Sequence, residues 1–378
     1  MASINLQGDT SGSISISAPS VAGSNTLTLP ATTQTLATQN SLGVRNLIIN
    51  GDMRIDQRNA GASVTPTDGL YTVDRWLFRV SQASKLTAQR VTDAPTGFDY
   101  SLKVTSSSAY TVGVSDFFEC EQRIEGNNVY QLDLGTSDAK TITISFWVKS
   151  SLTGTFGGSL ANVAFNRSYP FEYTISSANT WEKKTVTVAL DTTGTWATDN
   201  TIGLRVQFGL GVGNNWAGTA GSWIATGTWS ATGATSVVGT SGATWQLTGV
   251  QVEVSDGVAT PFEHRPYDME LARCMRYYET FYLEWYPVAW ANAFRGGRQY
   301  FRVFKRASPT GSVKSGTIRY ALLGVYSVSA DSNSGLTIGD TTDGFFISHS
   351  RQAGGTSPTN GLTYHNEPAV YLQFDAEL

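Results

Sequence analysis

Apolar and polar residues alternate with a period of two along most of this chain. In residues 140–149 the side chains of Ile142, Ile144, Phe146 and Val148 fall on one face, and those of Thr141, Thr143, Ser145 and Trp147 on the other. That is the pattern of an antiparallel strand buried on one side. Comparable runs at 71–79, 101–105, 117–124, 129–134, 171–175, 182–190, 202–210 and 245–254, separated by Gly, Asn, Asp and Ser, predict a succession of short strands. Two sheets of such strands packed face to face make a jelly roll. One helical pattern interrupts them: Leu271, Met275 and Tyr278 follow Pro266 at i, i+4, i+7 spacing. Beyond it β patterning returns at 298–305, 317–329, 344–349 and 370–376. The expected fold is all-β: an extended N-terminal segment (1–41), a jelly-roll β-sandwich (42–265), a short linking helix (266–280) and a smaller C-terminal β domain (281–378).

Residues 1–41 carry almost no charge beyond Asp9 and no aromatic residue. Their alternation, at 13–16 and again at 26–29, argues for strands too short to bury a core of their own. Such strands need partners from neighbouring subunits or another protein to satisfy their edges, so the segment reads as one for assembly or docking.

Composition narrows the function. With 378 residues, two or three structural units are expected. Only 15% of residues are charged and the net charge is -4, which offers no footprint for DNA or an anionic membrane. The N-terminus has no basic segment leading into an apolar stretch, and no run approaches the roughly 20 apolar residues a spanning helix needs. Synthesis in a cytoplasm without membrane insertion is the expectation. Cys120 and Cys274 are too few and too far apart for a disulfide framework or a zinc site, and read as buried free thiols. Only His264, His349 and His365 are present, so neither a multi-His metal centre nor any cofactor is expected.

Few residues suggest catalysis. Asp116, Glu119, Glu121 and Glu125 lie on or beside one strand, and Glu119 and Glu121 share a face. A glycoside hydrolase needs two carboxyl groups about 5 to 10 Å apart. The intervening Phe118, Cys120 and Gln122 imply one buried and one wetted face, so these acids read as solvated. The Glu263-His264-Arg265 cluster precedes the helix, where Asp268 and Glu270 suit the N-terminus and Arg265 is placed to pair with a carboxylate. No nucleophile elbow or phosphate loop occurs. The expectation is a protein without enzymatic activity.

Sugar binding needs only aromatic faces and planar polar groups, and aromatic residues are plentiful. Trp76 and Trp147 fall in apolar strand patterns and read as core. Trp216, Trp223 and Trp229 lie in a Gly, Ser, Thr and Ala run (209–244) with little apolar material to bury them. They are the candidate glycan contacts, or a subunit interface, where aromatics are equally enriched. Trp285, Tyr286 and Trp290, in the distal block 281–290, pose the same choice.

Several blocks occur in a telling order. NLIINGDM (46–53) and YTVDRW (71–76) are followed by EQRIEG (121–126), TISFWVK (143–149), LTGVQVE (247–253) and ATPFEHRPY (259–267). As an ordered set, over roughly residues 46–279, they resemble a module of bacteriophage tail proteins whose fold is similar to carbohydrate-binding jelly rolls. GDTSG (8–12) and TLTLP (26–30) resemble the N-termini of phage fibre proteins. The stretch from FRVFKRASPT (301–310) to FDAEL (374–378) resembles the C-terminal domain that often follows. The resemblance implies a tail fibre or receptor-binding protein of the virion. It would be a homotrimer, held to a phage tail or adaptor protein through residues 1–41, with its C-terminal end distal. Attachment to a host cell-surface glycan is the implied role. Alternatives are a purely structural tail or head-decoration protein, with its aromatics buried between subunits, and a glycan-degrading tailspike.

Overall fold

A computed structural model describes residues 3–7, 11–17, 45–255, 257–282, 288–290, 293–295, 299–315, 320–322, 326–328, 336–350, 362–363 and 371–378. The chain separates into two units, Met1–Gly43 and Val44–Leu378. In the first, β1 (Ser3–Gln7) and β2 (Ser13–Ser17) form an antiparallel hairpin in which Ile4 pairs with Ile16 and Leu6 with Ile14. Gly12, with φ +77°, supplies the left-handed backbone before β2 that a side chain would resist. The alternating run at 26–29 lies outside the described residues.

Before its helix the second unit has thirteen strands: β3 (Leu70–Tyr71), β4 (Leu77–Val80), β5 (Leu86–Val91), β6 (Ser101–Ser106), β7 (Phe117–Glu125), β8 (Thr141–Ser150), β9 (Gly154–Ala161), β10 (Ser168–Ile175), β11 (Glu182–Ala189), β12 (Ile202–Val212), β13 (Ala217–Gly218), β14 (Ser230–Ala231) and β15 (Thr244–Val254). Eleven of them make two antiparallel sheets, in the orders β10-β9-β12-β7-β4-β3 and β11-β8-β15-β6-β5. The two sheets pack as a jelly-roll sandwich. Its core draws Phe78, Phe118 and Phe208 from the first sheet and Ile142, Ile144, Phe146, Val148 and Trp245 from the second, all of them fully buried. The Trp245 indole donates to the Tyr173 hydroxyl at 3.1 Å, so the one polar atom of this ring is satisfied across the sheets.

Several expectations are corrected. The run 71–79 is not one strand: it folds into β3 and β4 around a turn in which Arg75 takes φ +73°. Residues 129–134 do not extend; Tyr130–Leu132 forms a 3-10 turn closed by Asp133 at φ +55°. Among the described residues of 298–305 only Gln299–Tyr300 is strand, and within 317–329 two short strands, Tyr320–Leu322 and Tyr326–Val328, pair with each other.

The helix begins where the sequence places it but is shorter than 266–280: α1 spans Tyr267–Met275, and Tyr278, expected on its apolar face, instead opens a strand. Arg265 bridges Glu270 at 3.0 Å and Glu263 at 3.2 Å, and Glu270 also accepts the backbone N–H of Asn50. After α1 the chain runs directly into β16 (Tyr278–Tyr282), at the edge of a three-stranded sheet whose central strand is Tyr371–Asp375. Buried ionic contacts join this sheet to the sandwich. Arg75 stacks over the Tyr277 ring at 3.5 Å and pairs with Glu377. Arg58 reaches Asp375 at 2.9 Å and Glu377 at 3.0 Å. Glu125 takes Arg276 at 2.6 Å and the Tyr277 hydroxyl at 2.8 Å, and these donors hold its carboxyl below the usual range.

Candidate ligand-binding site

The first sheet turns one face to the core and a polar face the other way. Strand β7 supplies Glu119, Glu121 and Arg123 to the polar face. Register then fixes their neighbours: Arg79 of β4 stands opposite Glu119, Gln207 of β12 opposite Glu121, and Arg205 opposite Arg123. Ser159 of β9 lies beside Gln207. Glu121 is heavily used, accepting from Arg123 Nε at 2.7 Å, Arg205 Nη1 at 3.2 Å and Gln207 Nε2 at 3.3 Å.

Glu119 is not. Both its carboxyl oxygens are buried without a hydrogen-bond partner, as are Gln207 Oε1, Arg205 Nε and Ser230 Oγ. Removal from water, then the adjacent Glu121, push the Glu119 carboxyl well above the ordinary carboxylate range. The expectation that these acids are solvated is therefore wrong: Glu119 and Glu121 are both 0% exposed. Their strand does have a second, polar face, but another part of the chain covers it.

That cover is the run after β12. It lies so close to the sheet that a Cβ at Gly157 would meet Ser230 Oγ at 2.3 Å and the Ala231 backbone nitrogen at 2.7 Å, and one at Gly209 would meet Ser230 Oγ at 2.5 Å, so these two strand glycines are what let it approach. The Thr228 hydroxyl is shared by Ser159 at 3.1 Å and Ser168 at 2.8 Å. At one end of the cover four aromatic rings gather. Trp216 stacks on Trp229 at 4.8 Å and 21°, Phe117 meets Trp229 edge-on at 3.9 Å, and Phe165 lies 5.4 Å from Trp229. The Arg79 guanidinium sits 5.6 Å from both the Phe117 and Trp229 rings, and pairs with Asp68 at 2.7 Å.

The three tryptophans of the 209–244 run are thus divided. Trp216 is partly exposed, with its indole N–H on the Ser115 carbonyl at 3.0 Å. Trp229 is buried at 5% exposure, because Phe117 and Phe165, from outside its run, join Trp216 in covering it. Trp223 is elsewhere: it packs edge-on against Trp196 at 5.4 Å and donates to the Ala189 carbonyl at 2.8 Å. Trp290 ends the short strand Val288–Trp290, and Trp285 and Tyr286 lie outside the described residues. Sequence reasoning missed Phe117, Phe165, Arg79, Arg205 and Gln207. Strand register brings Phe117, Arg79, Arg205 and Gln207 together, and the turn between β9 and β10 adds Phe165. Cys120 and Cys274 are buried free thiols, and among the described residues no cluster of His, Cys, Asp and Glu could hold a metal ion.

No protein-family model and no curated protein matches the sequence. Among solved structures the chain is similar to the enzymatically active domain of tailspike protein 4 of bacteriophage CBA120, at 12% identity and a TM-score of 0.32, over 56% of this chain and 21% of that one. It thus spans about a fifth of the tailspike's length. It is also similar to TmCBM61 in complex with β-1,4-galactotriose, at 9% identity and a TM-score of 0.30, over 56% of this chain and 100% of that one. A third is the family 11 carbohydrate-binding module from Clostridium thermocellum, in complex with a β-1,3-1,4-mixed-linked tetrasaccharide, at 12% identity and a TM-score of 0.27, over 52% and 98% of the two chains.

Proposed function

We propose that this chain is a tail fibre or receptor-binding protein of a phage virion, and that its jelly roll attaches to a glycan of the host surface without cleaving it. One observation carries the binding half: Trp216, partly exposed and stacked on Trp229, has beside it the partly exposed pair of Arg79 and Asp68, the guanidinium 5.6 Å from the Trp229 ring. A pyranose packs its C–H groups on an indole face while amide, guanidinium and carboxyl groups take its hydroxyls. The virion half rests on the ordered sequence blocks between residues 46 and 279. In this reading the chain is a homotrimer held to the tail through residues 1–41, and three copies strengthen weak single sites by avidity.

The test is binding of the purified protein to an immobilised panel of bacterial capsules, O-antigens and wall polysaccharides. A Trp216→Ala variant of unchanged melting temperature is expected to lose at least tenfold in affinity. A protein that binds no member of the panel, or a variant that binds as well as wild type, sinks the reading.

The burial of Glu119 beside Glu121 favours a second reading, a glycan-degrading tailspike, because a carboxyl held protonated next to another is what a glycosidase requires. Release of reducing ends from a bound polysaccharide, abolished in Glu119→Gln, would select it.

A further inference from the structure

The polar floor beneath the cover is the least expected part of the molecule. Buried donors and acceptors are almost always paired, because an unpaired one loses its bonds to water and gains nothing in return. Here Glu119, Gln207, Arg205 and Ser230, from three separate strands, each bring an unpaired polar atom to the same side of one sheet. Ser230 lies directly over Gly209, the register partner of Glu119. Stability does not account for such a layer, since an apolar side chain at position 119 would remove two unpaired oxygens at once. A ligand accounts for it.

The atoms specify what kind. Arg205 Nε–H is a donor, Gln207 Oε1 an acceptor, and the Ser230 hydroxyl and a protonated Glu119 can each be both. Such a mixed set matches vicinal hydroxyls, which donate and accept in turn, and does not match a phosphate or a metal cation. Charge points the same way. The groups facing Glu119 are Glu121 and Arg123 on its own strand, Arg79 on β4 and Arg205 on β12. Each of these arginines is already paired, Arg79 with Asp68 and both Arg123 and Arg205 with Glu121. The covering run, 209–244, contains no charged residue. No unpaired cation is left on this face for an acidic ligand.

We propose that residues 213–233 form a lid over an occluded subsite for an uncharged sugar residue, with Glu119, Gln207 and Arg205 as its floor and Ser230 as its ceiling. The cover turns at Gly221 and Gly233, with φ of +94° and +79°, and opening it must break the backbone pair of Ser168 with Ile224 and the bond from Gly221 N–H to the Pro170 carbonyl at 2.9 Å. Lifting the lid gives up the Thr228 hydroxyl bonds to Ser159 and Ser168 and the contacts of Trp229 with Phe117 and Phe165, while the Trp216–Trp229 stack, which lies wholly within the lid, moves with it. A bound sugar then supplies the partners the floor lacks and an apolar face for Trp229.

The proposal rests on the glycan-binding reading, and the test separates the two. Wild type and Glu119→Met are titrated calorimetrically with uncharged hexose oligomers and with uronate-containing ones. The expected result is a variant with a higher melting temperature and at least a tenfold weaker affinity for the uncharged oligomers, a combination no purely structural role for Glu119 produces. A second variant, Ser159→Cys with Thr228→Cys, staples the lid where the two native hydroxyls stand 3.1 Å apart. Binding is expected to vanish when it is oxidised and to return on reduction. If wild type binds sugar while Glu119→Met and the oxidised staple bind equally well, the lid is overturned and the glycan reading survives. If uronate oligomers bind more tightly, the ligand class is overturned. If wild type binds neither, both fall.

Discussion

Removing Glu279 should be among the most damaging single changes in this protein. Lys305 and Glu279 are both 0% exposed, with Nζ to Oε2 at 2.6 Å and Nζ to the Met275 carbonyl at 2.5 Å. The contact pins the loop 301–306 to the end of α1 and to β16. Arg302, the other cation near Glu279, is 3.4 Å away and more than half exposed, so it cannot replace Lys305. Breaking a buried pair from one side strands the remaining charge, at a cost of about 3–5 kcal/mol. Glu279→Gln is therefore expected to lower the unfolding free energy by about that amount at pH 7, measured by equilibrium urea denaturation. Burial already lowers the Lys305 pKa from its ordinary value, and loss of Glu279 removes the charge that opposes this. An amine with a depressed pKa sheds its proton more readily when folded, so the penalty should shrink as pH rises from 7 towards 9.5. Replacing both residues, Glu279→Leu with Lys305→Met, should recover most of the loss, since an apolar pair leaves no charge behind. A single-variant cost below about 1 kcal/mol, or a double variant no better than the single one, would refute the reasoning.

Asp74, fully buried, has its carboxyl pushed up to about 6, chiefly by removal from water and against the pull of Arg58 and two bonds from Gln57. The folded state therefore holds this proton more tightly than the unfolded one. The stability it contributes is fully present below pH 4, is lost as pH rises to about 6, and amounts to about 3 kcal/mol at 1.4 kcal/mol per unit. Asp74→Asn should lack that decline, and unfolding curves that stay parallel for the two proteins between pH 4 and 6 would contradict it. At Gly51 a Cβ would stand 2.2 Å from the Val250 carbonyl oxygen, which is backbone and cannot move aside cheaply. Gly51→Ala should cost at least about 2 kcal/mol in thermal unfolding, and an unchanged melting temperature would show that the turn at Gly51 can move away from β15.

How far the sequence could be read depended on whether the signal was local. The alternation in 140–149 places Ile142, Ile144, Phe146 and Val148 in the core, where they are, because a strand's two faces follow from its own residues. Strand β9 escaped notice because GTFGGSLA offers only Phe156 and Leu160 as large apolar residues, its glycines being required by the cover that approaches them. The run 71–79 was misjudged because its turn uses Asp74 and Arg75 rather than glycine, and tertiary contacts to Glu377 and Tyr277 hold Arg75 there. The site was the least legible part. That Glu119 and Glu121 share a face follows from spacing; that this face is buried depends on residues about a hundred positions further on. The tryptophans were findable as a group, but that Trp216 and Trp229 stack while Trp223 stands apart follows from where the cover touches the sheet.

The strand Tyr371–Asp375 lies between β16 and Thr310–Ser315, so the sheet that joins α1 to the sandwich has no centre until those last residues exist. During synthesis the sandwich strands leave the ribosome well before the piece that covers Arg58 and Arg75. The nascent chain must therefore wait with two arginines unpaired and the edge of β16 open. Such an edge invites pairing with another chain. The interval between translation of β16 and of Tyr371–Asp375 is thus the window in which misassembly between neighbouring nascent chains, or help from a chaperone, would decide the yield of this protein.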